Sequence, residues 1–320
     1  MIDKKNDDTF LSVIVPVYNE EDNIDPFYDR TTPILGSIDE RFEIIFVNDG
    51  SRDYTMEKIK ALHARDPRVK LIDLSRNFGK EIAMTAGLDF ASGEIIVLMD
   101  ADLQDPPELI PQMVEKWREG YDTVYASRVV REGETFLKRA TAETFYRVMK
   151  RLSRVDIPKN TGDFRLINRR TANALKLMKE QHRFMKGIFS WVGFKQTGIP
   201  YTREARFAGR TKWNYWQLWN FAIEGITSFS YVPLQISSYI GFFIAFIAFV
   251  YASFLVIRTL FFGRDVPGYA SIMVAILFLG GVQLLFLGII GEYLGRLFNQ
   301  SKNRPLYLIN DIIGINQDRD

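Results

Sequence analysis

The chain has 320 residues, 47% of them hydrophobic and 25% charged, which is the composition of a folded protein and not of a disordered one. It contains no cysteine, which excludes a disulfide scaffold, a cysteine zinc site and a thiol nucleophile, and its two histidines exclude a histidine-rich metal site. Residues 225–257 and 266–291 contain no Asp, Glu, Lys or Arg, which argues against a purely soluble protein.

Charge is distributed unevenly along the chain, although the net charge is only +2. Residues 1–124 contain 26 acidic and 14 basic side chains, whereas residues 125–320 contain 13 acidic and 27 basic ones. This asymmetry predicts an anionic partner for the second half, and the neighbouring apolar spans favour membrane lipid over nucleic acid. The polar opening MIDKKNDDTF has no apolar segment of the kind found in signal peptides, so we expect a cytoplasmic N-terminal domain.

The first 128 residues alternate short apolar runs with helical segments. The apolar runs are continuous, which is typical of strands that are buried on both faces of a parallel sheet. Helix starts are indicated by Ser51 as an N-cap, by Gly79 and by Pro106-Pro107. The pattern predicts an α/β fold with a mostly parallel sheet. Its strands are predicted at residues 12–18, 42–48, 69–74, 94–100 and 123–127, and its helices at 56–64, 80–91 and 108–119.

Two later segments have the composition of helices at a membrane surface. Residues 135–155 form a basic amphipathic pattern, which occurs in membrane-surface segments and also in ordinary solvated helices. Residues 212–229 carry Trp213, Trp216 and Trp219 just before an apolar span, and this position favours the membrane interface.

Two apolar spans follow, at residues 236–257 and 267–291. The first would extend ~33 Å as a helix at ~1.5 Å per residue, which is enough to cross a bilayer. The link between the spans is too short for a domain, so we predict a transmembrane hairpin with helices at about 232–257 and 267–295. Lys and Arg residues crowd the two outer ends, and the positive-inside rule then places both termini in the cytoplasm.

Small residues recur in the second span. Gly281, Gly288 and Gly295 lie at heptad spacing, which permits close helix packing within the hairpin or between the subunits of a homo-oligomer. A short strand is considered at residues 307–309. The predicted division is a cytoplasmic domain at residues 1–230, the hairpin at 231–300 and a cytoplasmic tail at 301–320.

Acidic residues follow three of the predicted strands directly. They are Glu20, Asp49 and the pair Asp100 and Asp102. Because ligands of open α/β sheets bind beyond the carboxyl ends of the strands, we expect these side chains to meet in one crevice. Asp100 and Asp102 can project toward the same side of an extended segment, and they would form a half-site for Mg²⁺ or Mn²⁺ that phosphate oxygens and water complete.

Several common phosphate-binding motifs are missing from the sequence. It has no G-x-x-x-x-G-K-[ST], no G-x-G-x-x-G after the first strand and no kinase signature. These absences disfavour a P-loop nucleotidase, a dinucleotide oxidoreductase and a kinase. A nucleoside diphosphate held by a metal ion remains.

Five motifs occur in an order that is typical of one enzyme family. VIVPVYNE (13–20), VNDGS (47–51) and DADLQDPP (100–107) resemble the family 2 glycosyltransferases, which have the GT-A fold. SRNFGKE (75–81) and TGDFR (161–165) resemble the polyprenyl-phosphate glycosyltransferases within that family. The two-span hairpin is similar to that of the bactoprenol branch.

The resemblance implies a role for particular residues of this chain. Tyr18 would stack on the donor base, while Glu20 and Asp49 would accept hydrogen bonds from the base or ribose. Arg76 and Lys80 either contact the donor phosphates or belong to a solvated helix start. The implied sets are the nucleotide-sugar site (Pro16, Tyr18, Glu20, Asp49, Asp100, Arg206, Arg210, Lys212), the metal site (Asp100, Asp102, Gln104) and the acceptor phosphate site (Arg128, Arg139).

Asp163, Arg165 and Asp102 are the predicted catalytic residues. A lipid monophosphate acceptor has a second pKa of about 6, so it is already a nucleophile at neutral pH and needs no general base. We therefore expect Asp163 to orient the sugar or Arg165, with general-base action as the alternative. Direct displacement would invert the anomeric centre.

The expected function is transfer of a hexose, glucose from UDP-glucose, to undecaprenyl phosphate at the cytoplasmic face of a bacterial plasma membrane. Mg²⁺ or Mn²⁺ is the expected cofactor, and nucleic acid is not an expected partner. Two rival functions stay open: a processive polysaccharide synthase and a catalytically silent membrane adaptor that binds nucleotide sugars. The synthase is disfavoured because residues 210–213 read RTKW where those enzymes have Gln-x-x-Arg-Trp, and because only two spans are present.

Overall fold

The computed structural model describes residues 9–129, 158, 161–181, 183–202, 230–262 and 268–315. The two predicted membrane-surface segments, 135–155 and 212–229, lie outside the described residues. So do four of the predicted site residues, which are Arg139, Arg206, Arg210 and Lys212.

Four parallel strands form the centre of the sheet. Strand β1 pairs with β2 on one side and with β4 on the other, and β2 pairs with β3. The strands form here because their apolar side chains are buried beneath helices on both faces of the sheet. The elements are β1 (Leu11–Val17), α1 (Glu21–Ile38), β2 (Phe42–Asn48), α2 (Thr55–Arg65), β3 (Val69–Leu74), α3 (Lys80–Phe90) and β4 (Ile95–Leu98).

The rest of the sheet contains both antiparallel and parallel pairs. A 3-10 turn at Pro107–Leu109 leads into the next helix, and strand β6 then pairs antiparallel with both β4 and β5. Strand β7 pairs parallel with β5, and the last strand, β8, pairs antiparallel with β3. The strand order is β7-β5-β6-β4-β1-β2-β3-β8. These elements are α4 (Ile110–Arg118), β5 (Thr123–Arg128), β6 (Thr161–Asn168), α5 (Arg169–Lys176), α6 (Met185–Trp191), β7 (Gln196–Tyr201) and β8 (Ile309–Ile313).

The structure confirms the predicted α/β class and its mostly parallel sheet, and it changes three details. The fourth strand ends at Leu98, so Asp100 lies in the loop beyond it. The prediction that Ser51 caps α2 is wrong, because Tyr54 occupies the N-cap position and the Ser51 hydroxyl accepts a hydrogen bond from another loop. The strand considered at residues 307–309 forms at Ile309–Ile313, where β3 offers a free edge.

Two long apolar helices follow the sheet domain. They are α7 (Val232–Phe262) and α8 (Tyr269–Ser301), with 31 and 33 residues. At ~1.5 Å per residue they extend about 46 and 50 Å, which exceeds the ~30 Å hydrocarbon core of a bilayer. Large apolar side chains are exposed along both, such as Phe242 at 74% and Leu284 at 70%. Both helices are therefore long and apolar enough to cross a membrane.

Contact between the two helices involves Gly241 of α7, which faces the ring of Phe286 on α8. In contrast, a Cβ atom built on Gly281, Gly288 or Gly295 would meet no atom of the described residues within 4 Å. These heptad glycines therefore do not mediate packing within the described hairpin.

The end of α8 is bonded to the sheet domain. The side chain of Gln300 accepts a hydrogen bond from the Gln181 amide at 2.9 Å and donates one to the Lys179 carbonyl at 3.2 Å. The Tyr293 hydroxyl donates to the carbonyl of Ser230, just before α7, at 2.6 Å. The start of α7 therefore lies beside α8, and the chain after α8 continues to β8 in the sheet.

A buried ionic network fixes the amino ends of the central strands, at the edge opposite the predicted site. Glu43 is only 2% exposed. Its carboxylate accepts hydrogen bonds from Ser12 and Ser92 and forms an ion pair with Lys70 at 2.5 Å. Burial raises the pKa of Glu43, but Lys70 and the hydrogen bonds outweigh burial and hold it below its ordinary value. Its stabilising contribution is thus complete at neutral pH and is lost as the pH falls below about 4.

Replacing Lys70 with Met removes the cation and keeps most of the side chain's apolar volume. Glu43 then stays buried with an uncompensated charge, so we expect the free energy of unfolding to fall by about 3 kcal/mol. Thermal unfolding of the full chain in detergent measures this as a lower Tm. The control is Lys116→Met at the exposed pair with Glu119, which should leave the Tm close to that of the wild type because water screens an exposed ion pair. Equal losses in the two variants would contradict the assignment.

Candidate active site

The predicted site residues converge because the strands that precede them point the same way. Strands β1, β2 and β4 are parallel, and β5 shares their direction because β6 is antiparallel to both β4 and β5. Their carboxyl ends, together with the start of β6, therefore form one edge of the sheet. The residues placed along this edge are Tyr18, Asp49, Asp100, Arg128 and Asp163.

The loops that follow β1 and β2 are locked together by reciprocal hydrogen bonds. The Asn19 amide donates to the Ser51 hydroxyl at 2.9 Å, and the Arg52 amide donates to the Asn19 side chain at 2.8 Å. The Glu20 amide donates to the Thr55 hydroxyl at 2.9 Å. Asn19 adopts a φ of 54°, which asparagine tolerates better than most residues. The two loops therefore form one rigid rim above the sheet.

Three residues predicted for the nucleoside lie on this rim or beneath it. Pro16 is half-buried within β1, whereas Tyr18 is 36% exposed. The Glu20 carboxylate accepts a hydrogen bond from the Asn23 side chain at 2.5 Å. The exposed ring of Tyr18 is accessible for stacking, and the role of all three in donor binding stays a prediction.

Asp49 is buried and holds the loop before α3. Its two carboxylate oxygens accept hydrogen bonds from the amides of Phe78 and Gly79 at 2.7 and 2.9 Å. Burial raises the pKa of Asp49, although the two amides counteract this. At the adjacent Gly50, where φ is 70°, a Cβ atom would lie 2.7 Å from the backbone of Arg76. The predicted nucleoside residue thus also fixes where α3 begins.

Lys80, the first residue of α3, bridges two acidic residues at the edge. Its ammonium lies 2.6 Å from a carboxylate oxygen of Asp100 and 2.6 Å from one of Asp163. Leu98 pairs with Arg165 in the antiparallel ladder, so Asp100 and Asp163 stand opposite each other just beyond it. Burial would lower the pKa of Lys80, but the two carboxylates outweigh burial and raise it. Lys80 therefore carries a full positive charge at neutral pH.

Asp100 and Asp102 fit a divalent cation only as part of a larger ligand set. No group of three or more acidic or histidine side chains in the described part of the chain could hold a metal ion. Two carboxylates nevertheless suit a hard cation whose other ligands are phosphate oxygens and water. The Lys80 ammonium at Asp100 shows that this position attracts positive charge. Gln104, the third predicted ligand, donates its backbone amide to Asp102 at 3.1 Å.

Arg165 is held by backbone carbonyl groups and an aromatic ring. It is 3% exposed, donates to the carbonyls of Gly162 and Asp163, and lies 3.8 Å above the Phe189 ring. Burial lowers its pKa to about 10, so it stays charged at neutral pH. Asp163 thus contacts Arg165 through its main chain, while its carboxylate binds Lys80.

The Asp163 carboxylate belongs to a cluster of charges that includes Glu81 and Lys186. Burial opposes its ionisation, but Lys80 and Lys186 outweigh burial and hold the pKa of Asp163 below its usual range. Burial and the charge of Asp163 raise the pKa of Glu81 to about 8. One oxygen of each carboxylate is buried without a hydrogen-bond partner among the described residues. Sequence reasoning missed Glu81 and Lys186, although Glu81 belongs to the SRNFGKE motif.

Arg128, predicted for the acceptor phosphate, is held at the end of β5. Its guanidinium donates to the Tyr201 hydroxyl at 3.1 Å, and that hydroxyl donates to Asp105. Gly162 leaves room for it, because a Cβ atom there would lie 2.9 Å from the Arg128 guanidinium. Asp105 was visible within the DADLQDPP motif, whereas no sequence signal indicated Tyr201.

Comparison with known proteins agrees with this geometry. Residues 12–175 match Glycosyl transferase family 2, and residues 232–297 match the GtrB C-terminal hairpin. The chain therefore belongs to glycosyltransferase family 2. It is a glycosyltransferase whose catalytic domain has the GT-A fold, and its C-terminal hairpin associates it with a membrane.

Several relatives match almost the whole chain. It is 54% identical over 305 residues to Uncharacterized glycosyltransferase sll0501 of Synechocystis sp., a match that covers 95% of this chain and 96% of that protein. It is 48% identical over 301 residues to the Bactoprenol glucosyl transferase of Shigella phage SfV, covering 94% and 98%. A solved structure, glucosyl-3-phosphoglycerate synthase from Mycobacterium tuberculosis, is 18% identical and covers 69% of this chain and 78% of its own, with a TM-score of 0.49.

The raised pKa of Glu81 predicts a pH-dependent stability. A carboxyl that binds its proton more tightly when folded stabilises the fold fully below about pH 4, and this contribution is lost as the pH rises through about 8. Glu81→Gln should therefore be more stable than the wild type at about pH 9 and lose this advantage near pH 5. Thermal unfolding across this range in detergent measures the difference.

The matched control is Glu115→Gln, which makes the same chemical change at an exposed position of α4. It should follow the wild-type pH dependence. A Glu81→Gln profile that runs parallel to the wild type would show that Glu81 is ionised at neutral pH.

Proposed function

We propose that the chain transfers glucose from UDP-glucose to undecaprenyl phosphate at the cytoplasmic face of a bacterial plasma membrane. The observation that carries the proposal is the 48% identity to a protein named Bactoprenol glucosyl transferase, which covers 94% of this chain, the acidic edge and the hairpin included. The acidic edge suits a metal-complexed donor, and a membrane hairpin would bring the domain close to a lipid acceptor.

In this proposal the donor diphosphate binds at the acidic edge. Asp100 and Asp102, with Gln104 beside them, would hold Mg²⁺ or Mn²⁺, which supplies charge stabilisation to the leaving nucleoside diphosphate. Tyr18 stacks on the base, and Glu20 accepts a hydrogen bond from the nucleoside. The remaining donor residues are Pro16 and Asp49 along the rim, and Arg206, Arg210 and Lys212 outside the described residues.

The acceptor phosphate is assigned to Arg128, with Arg139 as a second cation outside the described residues. Arg128 is positioned by Tyr201 and Asp105, so its guanidinium has one defined place at the edge. A phosphate monoester carries about −1.5 to −2 charges at pH 7 and attacks without a base. The lowered pKa of Asp163 also makes its carboxylate a weak base, which favours an orienting role. Direct attack of the acceptor phosphate on the donor would invert the anomeric centre.

The topology supports a cytoplasmic location for both termini. The start of α7 contacts α8 near the end that leads back to β8, and Arg296, Lys302 and Arg304 lie at this end of the hairpin. We propose a catalytic unit at 1–230 and a membrane hairpin at 231–300. The tail at 301–320 contributes β8 to the catalytic sheet. Assembly into a homo-oligomer stays a prediction.

The test is an assay of the purified full chain with radiolabelled UDP-glucose, Mn²⁺ and undecaprenyl phosphate. A labelled product that partitions into chloroform supports the proposal. A water-soluble polymer would instead identify a processive synthase, and donor binding without turnover would identify an adaptor. A panel of UDP- and GDP-sugars then determines which hexose gives the highest kcat/KM.

Asp102→Asn keeps the shape of the side chain and removes its charge. Because the proposed metal site has only two carboxylates, we expect kcat/KM to fall by about 100-fold or more. The same assay measures the loss, with Asp29→Asn at an exposed position of α1 as the control for the chemical change. Activity within about twofold of the wild type would remove Asp102 from the metal site.

Arg128→Gln tests the acceptor assignment separately from the donor. Loss of the guanidinium should raise the KM for undecaprenyl phosphate by about 10-fold or more, while the KM for UDP-glucose stays close to the wild type. Steady-state kinetics with each substrate varied in turn measure the two values. An increase confined to the KM for UDP-glucose would move Arg128 to the donor site.

A further inference from the structure

Lys80 is the one side chain of the described edge that pairs with both Asp100 and Asp163. We propose that Lys80 is an internal cation that occupies the Asp100 carboxylate until donor and metal arrive together, so that the protein takes up the metal tightly only with the donor diphosphate. The inference rests on the proposed function, since it assumes that Asp100 and Asp102 hold the ion.

Two carboxylates carry like charges at this point of the edge. Asp100 lies in the loop after β4 and Asp163 lies on β6, and both contact the same ammonium, so the two carboxylates lie close together. Like charges at such short separation repel. The Lys80 ammonium lies 2.6 Å from both carboxylates and offsets this repulsion before any ligand binds.

The Lys80 side chain begins at a fixed point of the backbone. Asp49 binds the amides of Phe78 and Gly79, so the backbone at the start of α3 is held rigidly to the end of β2. The Lys80 side chain itself is 41% exposed. Its backbone is therefore fixed, whereas part of its side chain borders solvent, so the side chain can change rotamer and release Asp100.

A metal ion and the Lys80 ammonium would compete for the Asp100 carboxylate. An ion that arrives alone must displace the ammonium and gains two carboxylates and water as ligands. A donor diphosphate adds phosphate oxygens to the ion and gives the displaced ammonium a new anion to contact. Lys80 can meanwhile keep its ion pair with Asp163, whose pairing does not depend on Asp100. Displacing Lys80 therefore lowers the affinity for the ion alone more than the affinity for the ion together with its donor.

The experiment is a titration of the full chain in detergent with Mn²⁺ alone, followed by electron paramagnetic resonance of the free ion. Lys80→Met should bind Mn²⁺ about 10-fold more tightly than the wild type, because two carboxylates are then left without a competing cation. Lys80→Arg, which keeps the charge, should bind as weakly as the wild type. Lys58→Met, which breaks the pair with Asp25 on another face, is the matched control and should change nothing.

Two further measurements keep the inference testable. Adding Asp102→Asn to Lys80→Met should abolish the gain, which locates the ion at the proposed site. In the wild type, UDP should strengthen Mn²⁺ binding by about 10-fold or more, a result that needs no variant to fold. Mn²⁺ affinity in Lys80→Met equal to or below that of the wild type overturns the inference, and so does wild-type affinity that UDP does not change.

The glucosyl transfer assay separates this inference from the proposed function. Wild-type turnover together with unchanged Mn²⁺ affinity in Lys80→Met leaves the function standing and removes the role of Lys80. If Lys80→Met binds Mn²⁺ more tightly but the wild type does not turn over UDP-glucose, the role of Lys80 stands and the proposed glucosyl transfer is removed.

Discussion

Repulsion between carboxylates is the constraint on which this site depends. A parallel sheet brings the ends of its strands to one edge, and in this chain those ends carry Asp49, Asp100 and Asp163. They are stabilised in two ways: the Asp49 carboxylate accepts hydrogen bonds from two backbone amides, while Asp100 and Asp163 share the ammonium of Lys80. Because Asp49 also fixes the start of α3, the first acid determines where the cation for the other two can stand.

The first five strands, three helices of the sheet domain and the two hairpin helices were predictable because their signals are local. Helix α1 and strands β6 and β7 were not predicted. Continuous apolar runs mark strands buried on both faces, and the observed bounds of β2 and β3 are the predicted ones. The convergence of Asp49 and Asp100 was also predictable, since it follows from parallel strand direction alone. Ser51 shows the limit: its sequence position suits a helix cap, but its hydroxyl contacts the loop after β1 instead.

The contacts that the sequence did not reveal depend on pairing between strands that are far apart along the chain. The contact of Lys80 with Asp163 joins residues 83 positions apart and requires β4 and β6 to pair at one offset. Lys186 enters the cluster only because α6 packs on the same face of the sheet as α3. Tyr201 reaches Arg128 because β7 lies beside β5. No local pattern encodes these pairings, since each depends on how the whole sheet is assembled.

The position of β8 has a consequence for biosynthesis. This strand covers the edge of β3, and Asn310 donates a hydrogen bond to the buried Asp73. It is translated after both apolar helices, so a nascent chain on the ribosome cannot complete its catalytic sheet until the hairpin has emerged. Until β8 has been synthesised, the edge of β3 is uncovered and open to pairing with another chain. Completion of the catalytic sheet therefore has to follow synthesis of both apolar helices.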